Sequence, residues 1–96
     1  DLSKGNFSGT DFSGSDFSNA VLSEAILTKA NLSNAKLAKV TAYNTDFTAA
    51  SLNSCQIIES NLTRNHFLKS NLNSAQITES DLIGCIFTES FLTDAM

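Results

Sequence analysis

Proline and tryptophan are absent from this 96-residue chain, and it has only four glycines, two cysteines, one histidine and one tyrosine. Each scarcity removes a class of protein. With no proline, nothing interrupts the backbone donors of a strand ladder. One histidine and two cysteines cannot supply the convergent ligands of a zinc site, so no metal and no cofactor is expected. Two cysteines are also too few for the disulfide framework of a small secreted domain. Charged residues make up only 17%, with a net charge of −4, which disfavours a generic nucleic-acid binder carrying a basic patch. No apolar run approaches the ~20 residues of a membrane span, and none is long enough for a secretory signal. The length allows one domain, residues 1–96. Nothing in the sequence sets the compartment beyond the cytoplasm as default.

What is present is a period of five. Every fifth residue from Leu2 is Leu, Phe or Ile, with Ala42 the one exception among nineteen positions. Two residues before each of these centres stands Gly, Ala, Ser, Thr or Cys, except at Val40 and Asn65. All ten acids and all six bases fall just before a centre or two residues after it. Asp11, Lys36 and Asp81 occupy the first of these sites; Lys4, Arg64 and Glu89 occupy the second. Because an unpaired charge is costly to bury, the charged positions face outward, while centres and small residues face inward.

Neither common element accommodates this period. Five residues advance about 500° on an α-helix, which smears the centres around every side. On one long strand an odd period puts alternate centres on opposite faces. The pattern closes if the chain turns a corner after each unit. Four units then make a square coil of twenty residues, and coils stack roughly 4.8 Å apart through backbone hydrogen bonds.

Read this way, the sequence resembles the pentapeptide-repeat family, whose consensus is A(D/N)LXX. The best local matches begin at Ala30-Asn31-Leu32, Ser60-Asn61-Leu62, Ser70-Asn71-Leu72 and Ser80-Asp81-Leu82. The resemblance implies an all-β fold, a right-handed quadrilateral parallel β-helix of about five coils. Four interior columns follow. Leu2, Leu22, Ala42, Leu62 and Leu82 form the first; Phe7, Leu27, Phe47, Phe67 and Phe87 form the second. The third holds Phe12, Leu32, Leu52, Leu72 and Leu92, and the fourth holds Phe17, Leu37, Ile57 and Ile77. Stacked rings are expected at Phe47, Phe67 and Phe87. Where Ala42 leaves a gap, Val40 is expected to fill it. The sequence opens at Asp1 and shows no capping helix. The expectation is a segment of a longer protein, or a stack whose uncapped end pairs with a second copy as a homodimer.

Chemistry-bearing residues are few. His66 lies just before a centre, facing outward, with Asp46 one coil below as an expected surface ion partner. Cys55 and Cys85 take small inward positions one and a half coils apart, beyond disulfide reach. The serines follow from the repeat, and no base and orienting group accompany any of them as nucleophilic catalysis requires. Gly5, Gly9 and Gly14 belong to the repeat and form no phosphate loop. No enzyme is expected.

The outer surface remains. Ile26, Tyr43, Leu68, Ile83 and Ile86 are expected to gather around one corner as the candidate surface for a protein partner, of a kind the sequence does not identify. The reading is therefore a non-enzymatic interaction or scaffold module. The resemblance also admits two alternatives: a DNA mimic that binds gyrase or topoisomerase, as in quinolone-resistance members, and a spacer or targeting domain of a larger bacterial effector. Lys29, Lys36, Lys39, Arg64 and Lys69 interrupt the acids that a DNA mimic would need.

Overall fold

The computed structural model describes residues 1–96, and its backbone chemistry explains why the repeat is five. Consider the unit at Leu22. Leu22 N–H donates to Thr41 O at 2.8 Å and Glu24 N–H to Tyr43 O at 2.8 Å, both on the next coil. Ile26 N–H reaches back to Gly5 O at 2.8 Å, and Ala25 N–H closes the turn on Leu22 O at 3.0 Å. Four donors are thereby satisfied, as buried backbone requires. The fifth, on the residue after the centre, has no such partner at Leu22, where Val21 precedes the centre, but in nine other units an Asp or Asn just before the centre accepts it. Asp11 Oδ1 accepts from Ser13 N–H at 3.0 Å, Asn31 Oδ1 from Ser33 N–H at 3.0 Å, and Asp81 Oδ1 from Ile83 N–H at 2.9 Å. Asp and Asn recur at that position because their short side chains make this local bond.

The turn needs a left-handed residue two after the centre. That position has positive φ in every unit, from Lys4 at 63° to Asp94 at 57°, with glycine at Gly9, Gly14 and Gly84. For a residue with a Cβ this conformation costs roughly 1–2 kcal/mol. Ala49 sits there at φ 58° with its N–H donating to Leu68 O at 2.8 Å. Ala49→Gly is therefore expected to raise stability by up to about 1 kcal/mol, the reverse of its effect in a helix or strand. A urea titration of the two chains checks the sign.

Residues twenty apart are bridged in parallel, as in the column Asn6, Ile26, Asp46, His66 and Ile86. The result is a right-handed quadrilateral β-helix of about five coils. Extended strands occur on the fourth face alone: β1 (Lys36–Ala38), β2 (Gln56–Ile58) and β3 (Gln76–Thr78), in a parallel sheet of order β1-β2-β3. Lys36, Gln56 and Gln76 lack the short Asp or Asn side chain. On the same face in the first coil, Asp16 does accept from Ser18 N–H at 2.9 Å, and there the tight turn closes with Ala20 N–H on Phe17 O. Instead of closing turns on Leu37 and Ile57, the N–H groups of Val40 and Ser60 donate to Ser60 Oγ and Ser80 Oγ, each at 3.0 Å.

The shaft is filled by the centres. Leu22, Leu27, Leu32, Leu37, Phe47, Leu52, Ile57, Leu62, Phe67 and Leu72 are buried. Phe47, Phe67 and Phe87 stack with centroids 5.0 and 4.9 Å apart and rings 3° from parallel. Phe7, Ile77 and Phe87 are half-buried, since they lie in the outermost turns. In the first coil the rings meet edge to face, Phe7 with Phe12 at 5.8 Å and Phe12 with Phe17 at 5.1 Å. The Phe7 ring fills the space beside Gly5, where a Cβ would lie 2.4 Å from Phe7 Cε2. Val40 and Ala42 are both buried. The extents are 30 × 26 × 25 Å, so the stack is a block nearly as wide as it is long.

Candidate functional site

One corner carries most of the exposed apolar side chains. Tyr43 and Asp46 flank it in the third coil, and Ile83 and Ile86 flank it two coils above. Ile26 belongs to the same corner in the second coil, in the column of Asp46, His66 and Ile86. Ile83 is 71% exposed, Ile86 47%, Ile26 39% and Tyr43 38%. Leu68 stands apart: it follows Phe67, at the far end of that face, and is half-buried. The five expected residues thus divide into four on one corner and one at the next.

The corner is not continuously apolar. Thr63 lies between Tyr43 and Ile83 in the stacking order, and Asp46 and His66 lie between Ile26 and Ile86. Arg64 Nη1 donates to Tyr43 Oη at 3.0 Å, and its guanidinium carbon lies 5.8 Å from the Tyr43 ring centroid. The phenol is held against the guanidinium. Above it, Ile83 and Ile86 share the last complete corner with Gly84, which leaves room for Arg64 beneath. Phe91, Leu92 and Met96 are exposed at the same end of the stack.

The titratable groups do not converge. No three His, Cys, Asp or Glu residues come together, and no cleft opens on the surface. The expected Asp46–His66 ion pair is not formed, although the two backbones are bridged. The Asp46 carboxylate is held by its own turn, accepting from Thr48 N–H at 2.9 Å. Ion pairs occur instead at Lys39–Glu59, 3.7 Å, and Lys69–Glu89, 3.9 Å, both exposed and of small energetic value. The backbone N–H and hydroxyl of Ser13 lower the Asp11 pKa. Asp16 is lowered likewise by the Ser18 hydroxyl and N–H. Both acids therefore stay ionised well into the acid range.

The inward small positions make a second, hidden set of polar contacts. Thr45 Oγ1 donates to Leu22 O at 2.7 Å, Cys55 Sγ to Leu32 O at 2.8 Å and Ser60 Oγ to Leu37 O at 2.6 Å. Cys85 Sγ repeats the bond on Leu62 O at 2.9 Å. Each side chain bonds the carbonyl of a centre 23 residues earlier. Both cysteines are free, and desolvation raises both thiols, Cys55 to about 12. Sequence reasoning placed these residues inward and missed their bonds; Ser, Thr and Cys mixed at one small position was the available signal.

Comparison with known proteins follows the same lines. The chain matches the profile described as pentapeptide repeats, in eight copies, over residues 6–41, 15–53, 25–64 and 55–94. Among solved structures, the pentapeptide repeat protein Rfr23 from the cyanobacterium Cyanothece 51142 is similar with a TM-score of 0.90 at 23% identity. The match covers 93% of this chain and 61% of that one, so this chain spans under two thirds of its length. HetL, a pentapeptide repeat protein involved in heterocyst differentiation regulation in Nostoc sp. strain PCC 7120, has a TM-score of 0.60 at 28% identity. That match covers 98% of this chain and 45% of HetL. QnrB1, a plasmid-mediated fluoroquinolone resistance protein, shares the fold at a TM-score of 0.51 and 18% identity, over 97% of this chain and 63% of that one. No curated protein sequence matches significantly. No helix is long and apolar enough to cross a membrane.

Proposed function

The chain belongs to the pentapeptide-repeat family, and from that premise we propose that it is a non-enzymatic interaction module presenting the outer faces of its β-helix to a protein partner. The observation that supports this reading is the corner itself. The interior takes nearly every large apolar centre, so Ile26, Tyr43, Ile83 and Ile86 are not needed to fill the shaft. Exposed apolar groups on a framework that already has its core favour a partner. The backbone beneath them is fixed by the intercoil ladder, so little ordering cost is added on binding.

The test is affinity capture from native extract, comparing the wild-type chain with one carrying Ile26→Glu, Tyr43→Glu and Ile83→Glu. Loss of the captured protein from the triple variant is the expected outcome, with circular dichroism showing that the fold persists. Equal recovery from both chains would remove this corner as the site.

The acidic balance, a net charge of −4, motivates a second reading, a DNA mimic acting on gyrase. Its acids are interrupted by lysines on the second and fourth faces, Lys29, Lys36, Lys39 and Lys69. A supercoiling assay separates the two: an unchanged gyrase rate, with and without a quinolone, leaves the protein-interaction reading standing alone.

A further inference from the structure

A stack of near-identical coils has a specificity problem. If most centres are interchangeable, a coil can be looped out, or a coil of another chain inserted, with little loss of packing. Three residues of this chain depart from the repeat: Val40 and Asn65 are the oversized residues at small positions, and Ala42 is the undersized centre. All three are fully buried.

Asn65 stands one coil above Thr45, and its Oδ1 accepts from Thr45 N–H at 2.7 Å. In most other turns that N–H closes on the centre three residues earlier, as Ala25 does on Leu22 and Ala50 on Phe47. The turn at 42–45 is thus closed by a side chain from the next coil. The hydroxyls and thiols at positions 45, 55, 60 and 85 reach the centre 23 residues earlier. For Asn65 that centre is Ala42, the one member of its column with no bulk. The others are Leu2, Leu22, Leu62 and Leu82. Asn65 Nδ2 finds no partner, so the carboxamide is held here at a cost in stability.

We propose that Val40, Ala42 and Asn65 form a register lock, which fixes the fourth coil onto the third and onto no other. Against Leu22 or Leu62 the carboxamide has no room. Expelling it from its seat also leaves the buried N–H beneath it without an acceptor, which disfavours a slipped stack by about tenfold or more. A buried asparagine that selects one register at some cost in stability has a parallel in coiled coils, where a core asparagine does the same.

The test removes the lock while conserving volume. Val40→Ala, Ala42→Leu and Asn65→Ser together restore the regular repeat. Both chains carry Cys55→Ser and Cys85→Ser, so that only reporter thiols remain. Thr41→Cys with Asn61→Cys reports the native stack, because these two residues are bridged. Val21→Cys with Asn61→Cys lies two coils apart and crosslinks only when the third coil is bypassed, within one chain or between chains. After unfolding, refolding and oxidation, the regularised chain is expected to form the native crosslink and to melt no lower than its parent. Its slipped crosslink is expected to rise about tenfold. Equal slipped crosslinking in both chains overturns the proposal. So does failure of the regularised chain to fold and form the native crosslink, since the lock is proposed to be dispensable for stability.

Discussion

Phe67→Ala is expected to lower the unfolding free energy by about 3–5 kcal/mol, the largest effect of any single truncation in the shaft. The Phe67 ring is fully buried and lies between Phe47 at 5.0 Å and Phe87 at 4.9 Å, both within 3° of parallel. Its removal loses the transfer energy of the ring, opens a cavity in a shaft with rigid walls, and breaks two ring contacts worth roughly 0.5–1.5 kcal/mol each. A small domain has about 5–15 kcal/mol in total, so the variant stands near the edge of folding. Two controls make the reading specific. Phe87→Ala removes a half-buried ring with one stacked neighbour, and its expected cost is roughly half as large. Phe67→Leu places in this column the residue that Leu27 already supplies, and is expected to cost under about 1.5 kcal/mol. Urea midpoints for the three chains provide the ranking. A Phe87→Ala variant as damaged as Phe67→Ala would show that the stack does not distribute its stability from the middle outward, as nearest-neighbour coil coupling requires.

The inward pattern was legible in the sequence because burial imposes it at every unit. A centre such as Leu52 or Phe67 has one permitted environment, and a period of five has one way to keep all such residues on one axis. The interior columns and the Phe47–Phe67–Phe87 stack therefore followed from spacing alone. The role of Asp and Asn before nine of the nineteen centres is local chemistry, a side-chain oxygen reaching the N–H two residues ahead, and the same letters also suit an exposed loop. The left-handed conformation was hidden for a related reason. Gly9, Gly14, Asn19 and Asn34 hint at it, yet Lys39, Glu59 and Ala49 adopt the same positive φ under the compulsion of the ladder. Strand extension on the fourth face was not legible, because Lys36, Gln56 and Gln76 lack the local bond but so do Val21, Ile26 and Ser51, whose turns close on Leu22, Leu27 and Leu52. Asn65 was visible as a departure, but its bond to Thr45 N–H is a relation between coils, which one sequence does not display. The corner was only partly legible. Outward residues at positions before and after a centre, such as Ile26 and Leu68, point outward alike in a linear reading. In space they stand at opposite ends of a face.

The second large effect concerns alkaline pH. Cys55 is buried, its thiol donates to Leu32 O at 2.8 Å, and desolvation raises its pKa from 9.0 to about 12. Above pH ~9 the unfolded chain releases the thiol proton while the folded chain keeps it, so the unfolded state binds fewer protons and stability falls as pH rises. The contribution is fully present below pH ~9 and is lost progressively toward pH ~12, about 4 kcal/mol for three units at 1.36 kcal/mol each. Cys55→Ser isolates this contribution from every other group, because the two chains share all of them. A serine hydroxyl can donate to Leu32 O just as Ser60 donates to Leu37 O at 2.6 Å, and it does not ionise. With Cys85→Ser in both chains, the two are expected to have stabilities within about 1 kcal/mol of each other at pH 7. At pH 11 the serine chain is expected to be the more stable by about 2–3 kcal/mol. Urea titrations at pH 7, 9, 10 and 11 follow the divergence. Parallel curves across that range would mean that Cys55 ionises as easily in the folded chain as in the unfolded one, and that the shaft around Leu32 admits water.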